Sequence, residues 1–87
     1  MSDHEKHQYC TNEFIQLANK LKDEKIDPAL VSGALMTASG IYATYIAAGN
    51  DGALEPSGVE KVVELYRRTL EHYQTIKKNQ LLMQKLR

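Results

Sequence analysis

Three side chains that could bind a metal recur every three residues near the start of the chain. His4, His7 and Cys10 stand in the segment HEKHQYC. Imidazole and thiolate groups are preferred zinc ligands, and residues three apart lie near one side of a helix. A fourth ligand is not evident, although His72 could approach in three dimensions. An exposed first turn, with Cys10 as a small core residue, is the simpler interpretation, so we expect no metal and no cofactor.

The other motifs that would indicate catalysis are missing from the sequence. It contains neither a G-x-S-x-G elbow nor a glycine-rich phosphate loop, and Asn50-Asp51-Gly52 lacks the ligand series of a calcium loop. YRRTLEHYQTIKK interleaves aromatic and basic residues, as nucleic-acid-binding segments do. The formal net charge is 0, however, whereas nucleic-acid binders are usually basic. We therefore expect a protein that is not an enzyme, and we consider a nucleic-acid partner unlikely.

Length and composition indicate one small globular domain over residues 1–87. Apolar residues make up 43% of the chain and charged residues 25%, which are ordinary globular values. Cys10 is the single cysteine, so no internal disulfide can form, and MSDHEKHQYC lacks the apolar core of a signal peptide. These features predict a cytoplasmic protein.

Apolar periodicity and capping signals predict three helices, over about 3–24, 28–48 and 58–86. Ser2 with Glu5, and Ser57 with Glu60, fit the S-x-x-E capping box. Asp27-Pro28 is a strong start for the second helix, because aspartate caps well and proline suits the first helical position. Gly49 is expected to end the second helix in a left-handed conformation. No segment has the alternating pattern of a strand.

The second helix carries no charge between Asp27 and Asp51 and is apolar on nearly every side. Such a helix is normally buried or in a membrane. Its length would span a bilayer, but large aliphatic residues are few and no aromatic belt flanks it, so we expect a membrane location to be unlikely.

In a soluble protein the first and third helices could cover two sides of the second. The remaining side is a candidate helix–helix interface of mostly small residues: Gly33, Met36, Gly40, Ala43 and Ala47. Small residues let another helix approach closely, and exposed apolar strips usually mark interfaces. A second copy of the chain is the expected partner, which predicts a homodimer; the alternative is that the first and third helices cover this side as well.

The end of the third helix extends beyond the length of the second. Its last two turns carry a candidate partner-contacting surface: Leu81, Leu82, Met83 and Leu86. No acid follows Glu71, whereas four basic residues do. Cations at a helix C-terminus favour the helix dipole, which explains this charge without a function. A basic amphipathic tail that touches a membrane surface or an acidic partner is the functional alternative.

Two sequence blocks resemble a known family. Phe14, Ile15, Leu17, Ala18 and Asn19 fit its F-I-x-L-A-N block. A second block, D-P-x-x-V-S-x-A-L-x-x-A, is matched by Asp27, Pro28, Val31, Ser32, Ala34, Leu35 and Ala38. Over most of residues 13–49 the chain is similar to the small bacterial proteins called domain of unknown function 3144. The resemblance implies a small soluble helical protein and no particular activity.

Together these patterns predict an all-α chain of three antiparallel helices, with the apolar helix central, that forms a dimer. The leading hypothesis for function is a non-catalytic protein–protein interaction or assembly module with an unidentified protein partner. The alternatives are a membrane-associated helical protein and a nucleic-acid-associated helical protein.

Overall fold

The computed structural model describes residues 1–86, all of which lie in helices or their connections. The helices are α1 (Asp3–Asp23), α2 (Pro28–Ala48) and α3 (Pro56–Lys85), and no strand occurs in this range. The prediction of an all-α chain with three helices is therefore confirmed. The chain divides into two compact units, Met1–Tyr42 and Ala43–Arg87.

In the first unit, side-chain caps define where both helices begin. Ser2 and Glu5 form the predicted capping box at the start of α1. The Asp27 carboxylate accepts a hydrogen bond from the Ala29 backbone amide at 2.9 Å, as its predicted role as helix cap requires. Between the helices, Lys25 has a φ of 67°, a left-handed conformation that glycine adopts far more readily.

Packing in the first unit is confined to the turns beside this connection. Val31 is 9% exposed and is the one residue of the range 1–86 that is buried. Ala18 and Leu21 are half-buried, whereas Phe14 and Leu17 on the same stripe of α1 are exposed. Within the first unit, the apolar stripe of α1 is therefore exposed for most of its length.

In the second unit, the end of α2 and the start of α3 are joined by residues 49–55. Gly49 ends α2 with a φ of 79°, as expected, and its amide donates to the Tyr45 carbonyl oxygen at 2.9 Å. A methyl group added at Gly52 would collide with the Ala48 carbonyl oxygen, so only glycine fits this turn. Leu54 packs on Gly58 and both are half-buried.

The predicted capping box of Ser57 and Glu60 is wrong. The N-cap of α3 is Glu55, and Pro56 occupies the first turn ahead of Ser57. Proline lacks the N–H that this position leaves unpaired and has the φ that a helix needs, so the helix begins two residues earlier than expected. Glu55 makes no side-chain capping bond.

Candidate interaction surfaces

The candidate metal ligands at the start of α1 do not form a site. His4, His7 and Cys10 are exposed side chains of the first turns of α1. Across residues 1–86, no three histidine, cysteine, aspartate or glutamate side chains are placed to hold a metal ion. The interpretation of Cys10 as a small core residue is wrong, because its thiol is exposed.

Most residues of the candidate interface on α2 are exposed to solvent. Gly33, Met36 and Gly40, in the first unit, are exposed. In the second unit Ala43 is half-buried and Ala47 exposed. A Cβ atom built on Gly33 or Gly40 would meet nothing within 4 Å outside its own helical neighbourhood in the described chain. Within the first unit, α1 therefore does not approach this side closely at Gly33 or Gly40. The alternative in which the first and third helices together cover it stays a prediction.

The remainder of α2 is equally accessible. Its large residues are exposed, among them Leu30, Leu35, Ile41 and Ile46. Within the first unit, α1 therefore does not bury a side of α2 along its length. α2 is long and apolar enough to cross a bilayer, judged by length and composition alone, with a mean hydropathy of 1.3 over 18 residues, and Val31 is its one buried residue.

A shallow groove accompanies the small buried cluster of the first unit. Its walls come from the end of α1 and the start of α2, and are formed by Ala18, Asn19, Lys22, Pro28, Val31, Ser32 and Leu35. The groove is open and mostly apolar, without a convergent set of polar groups. It continues the exposed apolar surface and does not resemble an enclosed substrate site.

The last turns of α3 are helical as far as Lys85. The amide of Leu86 donates to the Met83 carbonyl oxygen at 3.2 Å and closes the helix. The candidate partner-contacting residues in these turns are all exposed, from 49% to 79%: Leu81, Leu82, Met83 and Leu86.

Charged side chains interact only locally. Glu64 pairs with Arg67 at 3.5 Å and with Arg68 at 3.2 Å, one turn further along α3. All three are well exposed, so these pairs contribute little to stability. Hydrogen bonds from Ser2 lower the pKa of the Glu5 carboxyl, the backbone bond first and the side-chain bond second. This shift belongs to a helix cap and indicates no catalytic group.

Sequence reasoning did not predict how many large apolar side chains are exposed. Large apolar side chains are exposed along all three helices. Helical periodicity shows which side of each helix is apolar, but it does not show what covers that side. The length of the chain could have predicted this exposure, because a chain this short can bury only a limited share of its surface.

Comparison with known proteins gives a family without an assigned activity. The family model described as "Protein of unknown function (DUF3144)" matches residues 8–79. Searches of curated proteins and of solved structures gave no match. Because the family model covers most of the 87 residues and includes both resembling blocks, this chain belongs to the DUF3144 family of proteins of unknown function.

Proposed function

We propose that this protein is a non-catalytic, cytoplasmic assembly module that acts as a homodimer. The supporting observation is the apolar surface that is exposed within each compact unit. Most large apolar side chains of α1 and α2 in residues 1–42, and of α3 in residues 43–86, are exposed, and Val31 is the one buried residue among them.

Exposed apolar surface of this kind suits a permanent interface, because the interfaces of obligate homodimers are large and more hydrophobic than those of transient complexes. Fixing each backbone residue costs roughly 1–2 kcal/mol, and a single buried valine cannot offset that cost over three helices. Burial between copies supplies the missing apolar contacts. The subunits of such dimers often have no stable folded monomer.

In this proposal α2 is the centre of the assembly. Its interface residues Gly33, Met36, Gly40, Ala43 and Ala47 receive a helix of the second copy, and the helices of the assembled dimer pack in antiparallel fashion. α1 and α3 carry polar residues on their opposite sides and keep those sides in water. The last turns of α3, at Leu81, Leu82, Met83 and Leu86, add contacts to the second copy or to a further protein partner. Nucleic acid is not the expected partner.

Light scattering of the purified protein, prepared without detergent, tests the homodimer. We expect a molar mass twice that of the 9.8 kDa chain at tens of micromolar protein. Circular dichroism at falling concentration provides a second readout, because helix content should drop as the dimer dissociates. A molar mass of one chain with full helix content would contradict the proposal.

Membrane insertion of α2 is the second candidate function. The observation that favours it is the same exposed helix, whose length and hydropathy suffice to cross a bilayer. The serine and threonine hydroxyls of α2 tolerate lipid because they can bond to carbonyls of the preceding turn, as Thr37 does to Gly33 at 3.0 Å. Fractionation distinguishes the two candidates. Recovery of the protein in the detergent-free soluble phase excludes the membrane span, whereas recovery only with the membranes excludes the soluble dimer.

A further inference from the structure

An apolar stripe follows α3 with the repeat of a coiled coil. Its members are separated by alternating steps of four and three residues and are each 45–55% exposed: Val59, Val63, Tyr66, Leu70 and Tyr73. We call these five residues the α3 stripe. Steps that average 3.5 residues keep a stripe facing a partner helix over many turns. α3 has 30 residues, so it is about 45 Å long and can pair over a considerable distance.

One side of the α3 stripe is charged, and the sign of the charge changes along the helix. We call this side the charged flank, and it consists of Glu60, Glu64, Arg67, Glu71, Lys78 and Lys85. Three acids and one base occupy its first half, whereas its second half holds two bases and no acid. The ion pairs of Glu64 with Arg67 and Arg68 stay within the first half. Lys78 and Lys85 form no ion pair with any residue of the range 1–86.

This charge distribution distinguishes the two ways of pairing α3 with a copy of itself. In a symmetric antiparallel pair, each flank lies beside the same flank of the partner, running in the opposite direction. The acidic first half of the charged flank then lies beside the basic second half of the other copy. The opposite signs attract at both ends of the pair.

A parallel pair has the opposite consequence. Lys77 continues the line of the α3 stripe, four residues after Tyr73. In-register parallel helices would bring Lys77 against its own counterpart, and close like charges are unfavourable. Such a pair would also leave the charged flank beside the other, uncharged side of the partner's stripe, without partners of opposite sign.

We infer that two copies of this chain pair through α3 in antiparallel orientation, in the register that sets each acidic half-flank beside a basic half-flank. Glu60 then lies beside Lys85 of the other copy, and the two α3 stripes overlap at Leu70 and Tyr73. This inference rests on the proposed homodimer and specifies the orientation of its subunits. The occupant is a second copy because the complementary charges are present on the same helix.

Distances between spin labels on the two copies test the orientation. Cysteines are introduced by Lys61→Cys or Asn79→Cys in a Cys10→Ser background. The two positions are five full turns apart, about 27 Å along the helix, and point in the same direction away from the α3 stripe. Both are exposed polar residues, so the labels should not disturb packing, and circular dichroism checks that helix content is retained.

Three samples are compared by pulsed dipolar spectroscopy: each labelled variant alone, and a refolded mixture of the two. An antiparallel pair predicts that the mixed 61-to-79 distance is shorter than both the 61-to-61 and the 79-to-79 distances. Like-position distances shorter than the mixed distance would overturn the inference in favour of a parallel pair. A dimeric mass without any shorter mixed distance would show that α3 is not the pairing helix, whereas a monomeric mass would contradict the proposed dimer itself.

Discussion

Ser2 and Glu5 cap each other's backbone amides at the start of α1. The Ser2 Oγ accepts from the Glu5 amide and the Glu5 Oε1 accepts from the Ser2 amide, both at 3.1 Å. These bonds satisfy two N–H groups that have no partner inside the helix. Because the Ser2 amide donates to the charged carboxylate, and the Ser2 side chain adds a second, smaller effect, the pKa of Glu5 lies below its ordinary value.

The cap should weaken on acidification. A carboxyl whose pKa is lowered by folding contributes stability above its unfolded pKa, and this contribution is lost as the pH falls through the folded pKa. Ser2→Ala keeps the backbone bond to the carboxylate but removes the smaller contribution of the Ser2 side chain, so we expect it to raise the pKa of Glu5 part of the way toward the ordinary value. Titration of the Glu5 side-chain carboxyl by NMR in the wild type and the variant measures this change. Identical inflection points would show that the capping box does not control the carboxyl.

Lys25→Gly should stabilise the protein. Lys25 has a φ of 67°, which costs a residue with a side chain roughly 1 kcal/mol relative to glycine. Glycine also increases the entropy of the unfolded chain, so the expected net gain is up to about 1 kcal/mol. Thermal unfolding at a fixed protein concentration measures the gain. Lys20→Gly, in the exposed interior of α1, is the matched control and should lose about 1 kcal/mol.

Signals from neighbouring residues in the sequence predicted the helices, but they did not predict which residues are buried. Asp27-Pro28 predicts the start of α2 because cap and proline act within a few residues, and the Asp27 carboxylate caps Ala29. The prediction that Ser57 caps α3 was wrong because Pro56 also suits the first helical position, and α3 begins at Pro56 with Glu55 as its N-cap. Both signals depend only on neighbours in the sequence.

Burial could not be inferred in the same way, because it depends on groups distant in sequence or on another molecule. The small side of α2 predicted a close neighbour, yet Gly33 has open space around it within one chain. Val31 is buried because it lies beside the short connection that brings α1 against α2. The sequence thus identified candidate surfaces, but it could not specify their occupants.

Gly33→Ala has opposite expected effects in a separate chain and in the proposed dimer. Within one chain the new methyl group has open space, and the better helix propensity of alanine should stabilise α2 by about 1 kcal/mol. If a helix of the second copy packs closely here, the methyl group forces it away, which typically costs 1–3 kcal/mol. We expect weaker dimerisation, measured by analytical ultracentrifugation. Ser57→Ala, which removes no cap, is the control, and equal or tighter association of Gly33→Ala would argue against this interface.

A charge exchange on α3 should show compensation. In the antiparallel pair, Glu60 of each copy lies beside Lys85 of the other copy. Glu60→Lys or Lys85→Glu alone therefore places like charges beside each other at both ends of the pair. Exposed ion pairs contribute about 0.2–1 kcal/mol, so each variant should weaken the dimer by about 0.4–2 kcal/mol. The double variant restores opposite charges and should associate nearly as tightly as the wild type. Lys61→Glu changes charge away from the charged flank and serves as control, and additive losses in the double variant would refute the pairing of these flanks.

Leu81 and Leu82 are neighbours with similar exposure but different expected roles. Leu81 lies five turns beyond Val63 and therefore on the side of the α3 stripe, whereas Leu82 lies five turns beyond Glu64, further round the helix. Burying a leucine stabilises by about 1.5–3 kcal/mol, so Leu81→Ser should weaken the dimer at least tenfold. Leu82→Ser should change the dissociation constant less, because its side chain lies at the angular position of Glu64 in the charged flank and not on the α3 stripe. Both substitutions carry the same loss of helix propensity, so their comparison by sedimentation isolates the contact. Equal weakening by the two variants would indicate that the last turns bind through another side of α3.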